Sequence, residues 1–114
     1  MIEEEVQIFG FGSFFRGSIT YNDIDLLLLH SDLSPQSRQF ALACKRGLSS
    51  SGFKLHITML SSPEEKSLRF IERSSAEKIH TIRLDEMDEG IQRLLKIIKY
   101  RTDQKLTDGD KNGG

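Results

Sequence analysis

A chain of 114 residues and 13.0 kDa has the length of one domain with room for one modest core. Sixteen Lys and Arg against seventeen Asp and Glu leave a formal net charge of −1, so no global pull toward nucleic acid or an anionic membrane is expected. Hydrophobic residues at 37% and charged residues at 29% exclude a disordered composition. The single cysteine, Cys44, excludes an intrachain disulfide and a Cys-rich zinc site. The apolar run Leu26 to Leu29, like every other in the chain, falls far short of the ~20 residues of a membrane-spanning helix. Glu3, Glu4 and Glu5 follow Met1-Ile2, the reverse of a basic signal-peptide start, so a cytoplasmic protein is expected.

The first predicted strand is Val6 to Phe11, and Gly12-Ser13 follows it as an opening to a turn or helix. Residues 17–22 read as loop. The second strand, Asp23 to His30, is apolar on both faces at its centre, as in a central strand covered on both sides. Ser34-Pro35 reads as N-cap and first turn of a helix to about Leu48, with Phe40, Ala41, Cys44 and Leu48 at helical spacing and Cys44 in the core. The third strand, Phe53 to Leu60, alternates Phe53, Leu55, Ile57 and Met59 with Lys54, His56 and Thr58. Ser62-Pro63-Glu64-Glu65 carries a capping-box pattern, and the helix it opens uses Leu68 and Ile71 before fading near Ser74-Ser75. Ile79 to Leu84 adds an edge strand. Asp85 opens the last helix, whose buried stripe is Met87, Ile91, Leu94, Leu95 and Ile98. Its acidic first turn and basic last turns suit the helix dipole.

The expected fold class is therefore α/β (α+β), a small mixed sheet flanked by helices, in one domain over residues 1–102. Residues 103–114 read as a disordered polar tail. Within them, Asp108 to Gly113 matches the first half of an EF-hand loop but lacks the carboxylate at position twelve, so no calcium site is expected. Lys96, Lys99, Arg101 and Lys105 read as a solvated helix end, or as a contact for RNA or an acidic partner. His30 and His80, at strand ends, read as surface residues.

Two features carry chemistry. Asp23 and Asp25 stand two apart at the start of the second strand, so their side chains share a face ~6.5–7 Å apart along the backbone. Such a pair suits Mg²⁺, which takes one or two carboxylates together with substrate phosphates; as a bare acidic pair at a strand end it is also compatible with simple solvation. Gly12 allows close backbone approach to a phosphate, and Ser13 offers a hydroxyl beside free N–H groups at a helix start. Together they outline a metal on one side and a triphosphate on the other.

Phe11-Gly12-Ser13-Phe14-Phe15-Arg16-Gly17, followed by Asn22-Asp23-Ile24-Asp25-Leu26, resembles the DNA polymerase β-like nucleotidyltransferase superfamily, and within it the small minimal nucleotidyltransferase antitoxin group. The motif spans residues 11–29, and the β-α-β order to about residue 60 agrees with it. The resemblance implies a polymerase β-like nucleotidyltransferase fold. It implies Mg²⁺-dependent (or Mn²⁺-dependent) transfer of a nucleoside monophosphate, AMP from ATP, to a protein or small-molecule acceptor. It makes Asp23 and Asp25 metal ligands and Gly12 and Ser13 contacts for the β- and γ-phosphates. Arg16 becomes a phosphate contact, or else a solvated loop residue. The family often has a third carboxylate on the next strand; this chain has none there, and His56 stands at the inward polar position, as a structural histidine or as the catalytic base. The alternative reading is an antitoxin or nucleotide-binding pseudoenzyme that partners a helical HEPN-type protein or a second copy of itself.

Overall fold

The structure, a computed structural model, describes residues 4–113, with side chains to residue 107. In chain order it contains β1 (Glu5–Phe11), α1 (Gly12–Phe15), β2 (Ile24–His30), α2 (Pro35–Ser49), β3 (Leu55–Ser61), α3 (Ser62–Leu68), α4 (Phe70–Ser74), β4 (Glu77–Arg83), a 3-10 turn (Leu84–Glu86) and α5 (Met87–Gly113). The strands form one four-stranded mixed sheet in the order β3-β2-β1-β4. β1 runs antiparallel to both β2 and β4, and β2 runs parallel to β3 through the α2 crossover. A mixed sheet flanked by helices is the fold class expected from the alternation of strand and helix patterns. The predicted strand limits are one or two residues off at most ends, and the predicted edge strand is β4, which begins earlier, at Glu77.

The two faces of the sheet are covered unequally. Val6, Ile8, Leu26, Leu28 and Ile82 lie on one face at 0% exposure and pack with Ala41, Cys44 and Leu48 of α2 and Leu94 and Ile98 of α5. Each fully buried aliphatic side chain of this kind stabilises the fold by about 1.5–3 kcal/mol before entropy is counted. Leu27 points the other way, into a smaller cluster with Phe9 and Leu60 that Phe70 and Ile71 of α4 cover. The centre of β2 is apolar on both faces because both faces are packed there. Cys44 is buried, and burial pushes its thiol up to about 12.

Helix starts are set by side-chain oxygens. Ser34 caps α2, its Oγ accepting from Ser37 N–H at 3.2 Å, and Pro35 follows in the first turn. The capping box of α3 is shifted by one residue from the expected Ser62 and Glu65: Ser61 is the N-cap, and Glu64 reaches back to it. Hydrogen bonds from Ser61 N–H (3.0 Å) and Ser61 Oγ–H (2.8 Å) hold the Glu64 carboxyl below its ordinary range. Glu65 instead accepts from the N–H groups of Phe70 (3.0 Å) and Ile71 (3.1 Å), which start α4. Arg69, at φ 52°, breaks what the sequence suggests is one helix into α3 and α4.

Two further expectations are corrected. His30 is buried rather than surface, with Nδ1 3.0 Å from Ser37 Oγ, because the first turn of α2 folds over the end of β2. The helix that was expected to give way to a disordered tail at residue 103 continues as part of α5. Lys99 pairs with Asp103 at 3.0 Å and Lys105 Nζ donates to Ser18 O at 2.6 Å, so residues 103–107 belong to the folded body. The side chains of the EF-hand-like run, residues 108–113, lie outside the described residues. His80 is half-buried, its Nε2 3.0 Å from Gly90 O.

Candidate functional site

The antiparallel pairing of β1 with β2 sets Phe11 across from Asp25. The next residue, Gly12, therefore turns into α1 directly beside that carboxylate. Gly12 adopts φ +79°, and a Cβ placed on it would run into Asp25 Oδ2. Conformation and space both require glycine there. The parallel pairing of β2 with β3 sets His56 in register with Asp25, and His56 Nδ1 lies 3.2 Å from Asp25 Oδ1. One oxygen of Asp25 thus meets an imidazole and the other meets a glycine backbone.

Asp23 lies one step before β2, and the ladder is already closed at that point by Ile24 N–H donating to Lys54 O at 3.0 Å. Lys54 Nζ sits 3.8 Å from Asp23 Oδ1. Two acids at the start of β2 consequently face two basic residues at the start of β3. Asp25 is the more enclosed, its side chain 24% exposed against 43% for Asp23 and 67% for His56. The sequence shows Lys54 only as a polar position of the third strand; the signal for its place here is that its i, i+2 spacing with His56 matches that of Asp23 with Asp25 on the adjacent parallel strand.

Ser13 is half-buried in the single turn of α1, and its carbonyl accepts from Ser18 N–H at 3.1 Å. Arg16 caps the end of α1, its backbone N–H donating to Gly12 O at 3.1 Å, and its exposed side chain makes no hydrogen bond or ion pair with another described residue. The loop between α1 and β2 is held from below by α5. Besides its bond to Ser18 O, Lys105 Nζ lies 4.6 Å from the Phe14 ring centre and 5.7 Å from that of Tyr21. Arg101 lies 5.1 Å from the Phe15 ring centre while pairing with Glu77 at 2.9 Å. These contacts fix the approach of the chain to Asp23 and Asp25.

The donor set can be tested against the divalent cation that the motif suggests. Mg²⁺ takes hard oxygen ligands, one or two of them carboxylates, and completes its shell with water and phosphate oxygens. Asp23 and Asp25 offer two solvent-accessible carboxylates of that kind. No cluster of three or more His, Cys, Asp or Glu positioned to hold a metal occurs among the described residues. β3 carries no carboxylate, and the residue in register with Asp25 on it is His56. A surface cleft lies elsewhere, at the far end of β2, lined by Leu29, Ser31, Ser62, Lys66 and Arg69. Its Glu65 carboxylate is already committed to the α4 N–H groups, so the convergent chemistry is at Asp25 and not in that cleft.

No helix among the described residues is long and apolar enough to cross a membrane. Compared with protein-family models, with curated proteins and with solved structures, the chain matches none.

Proposed function

We propose that this chain is a small nucleotidyltransferase of the polymerase β-like kind, transferring AMP from Mg-ATP to a protein or small-molecule acceptor. The observation that carries the reading is the wedge of Gly12 against Asp25, with His56 on the carboxylate's other oxygen. Asp23 and Asp25 would hold the metal, with Lys54, 3.8 Å from Asp23, giving up that long contact. The chemistry Mg²⁺ would supply there is neutralisation of charge on the phosphate oxygens. Gly12 leaves its backbone open to the β- and γ-phosphates, Ser13 donates its hydroxyl to them, and the exposed Arg16 guanidinium closes over them. With its Nδ1 proton donated to Asp25, His56 keeps a lone pair on Nε2 and takes the proton of the acceptor hydroxyl. The acceptor oxygen bonds to the α-phosphorus as the bond to pyrophosphate breaks.

The test is Mg²⁺-dependent transfer of label from α-labelled ATP to the chain's cellular partner. Label appears with the native chain and disappears with the Asp23→Ala, Asp25→Ala double variant. Absence of any transfer with the partner present contradicts the reading. A second reading is favoured by one observation: both carboxylates already face a basic neighbour, and β3 supplies no third acid. On that reading the chain is an interaction module that binds a helical HEPN-type partner without chemistry, and neutralisation of the partner survives the double variant.

A further inference from the structure

The two edges of the sheet are guarded differently. β4, one edge, carries Glu77, Lys78 and Arg83, and its pairing with β1 is broken by a register shift at Ile8/Phe9. Charges and bulges of this kind keep an edge from adding another strand. β3, the other edge, reads Leu-His-Ile-Thr-Met-Leu-Ser, with no Lys, Arg, Asp, Glu, Pro or Gly. It pairs with β2 in unbroken register from Leu55 to Ser61. Leu55, Ile57 and Met59 pack against the main core yet stay only partly buried. A regular, uncharged strand with half-covered apolar side chains is a template for a further strand.

We propose that β3 pairs antiparallel with β3 of a second copy of this chain, about a two-fold axis at Thr58. That register is the one that uses all seven residues of both strands. It sets Ile57 beside the partner's Met59 on the α2-covered face, so that the half-buried apolar residues cover one another. Thr58 meets the partner's Thr58 on the open face. The ends are complementary in charge: Lys54, 79% exposed, comes across from the partner's Ser62, in the acidic first turn of α3 that carries Glu64 and Glu65. An isologous contact places each residue of one strand against the mirror position of the other, and a strand without charges meets itself without repulsion. A parallel self-pairing or an unrelated extended segment gains neither the full ladder nor the Lys54 contact.

Analytical ultracentrifugation tests the pairing. The native chain sediments at twice its 13.0 kDa mass. Thr58→Lys and Thr58→Glu each put like charges opposite one another and sediment at the single-chain mass, whereas an equimolar mixture of the two returns to the doubled mass. Thr58→Val, which keeps strand preference without charge, stays doubled. A native chain that remains at the single mass up to roughly 1 mM overturns the proposal. So does a Thr58→Lys chain that stays doubled, or a mixture of the charged variants that remains single.

Discussion

The sheet has a closed face and a half-open one, and the difference places the accessible carboxylates. On the closed face, α2 and α5 bury Val6, Ile8, Leu26, Leu28 and Ile82 completely. On the other, Phe70 and Ile71 of the short helix α4 cover Leu27 and Leu60 and leave Asp25 and His56 accessible. One face supplies stability, and the other leaves room for two carboxylates that would be costly to bury unpaired. The adjacent residues Leu27 and Leu28 sample the two faces within a single strand.

The largest expected effect comes from the closed face. Leu28→Ala lowers unfolding free energy by about 2–5 kcal/mol in urea titration, and Leu27→Ala falls at the lower end of that range because its cover of short helices can settle into the space. A Leu27→Ala loss larger than that of Leu28→Ala would break the contrast between faces. Gly12→Ala comes next. The positive φ costs about 1–2 kcal/mol, and the methyl displaces the Asp25 carboxylate, so Mg-ATP binding measured by calorimetry is lost along with that stability. Ser61→Ala removes the α3 cap and costs about 1 kcal/mol, measured the same way.

His56→Ala separates the two roles further. The pair with Asp25 is largely exposed on the histidine side, so stability changes by under about 1 kcal/mol. Turnover nevertheless falls about 10²–10⁴-fold where the imidazole is the base. The smallest effect is in the pH dependence. Glu64 has a depressed folded-state pKa, so its contribution is fully present above the ordinary value of 4.5 and is lost as pH falls through the lower folded value. Glu64→Gln flattens that part of the acid limb of stability against pH, and an unchanged limb would show that the Ser61 hydrogen bonds do not persist in solution.

Periodicity and turn chemistry made most of the element order legible, because strands with alternating or doubly apolar patterns and helices with Ser-Pro starts are locally encoded. The meeting of Gly12 with Asp25 was also legible, since a strand ending in Gly-Ser and a strand beginning with Asp-x-Asp become neighbours once the two pair antiparallel. What escaped was either locally degenerate or long-range. Ser61 with Glu64 and Ser62 with Glu65 satisfy the same capping pattern, and only the end of β3 decides between them. The break at Arg69 has no glycine to announce it. His30 looks exposed at a strand end until Ser37 is folded over it. The continuation of α5 depends on Lys105 reaching Ser18, a contact between distant parts of the chain that no helical spacing encodes.

The central claim is that Asp23, Asp25 and Gly12 form a nucleotide–metal site. Calorimetry of ATP with Mg²⁺ measures it most directly, with the native chain compared against Asp23→Ala, Asp25→Ala under identical conditions. The account predicts saturable binding that requires Mg²⁺ and vanishes in the double variant while the far-UV circular dichroism is retained. Equal binding by the native chain and a folded double variant, or no binding by the native chain, would contradict it.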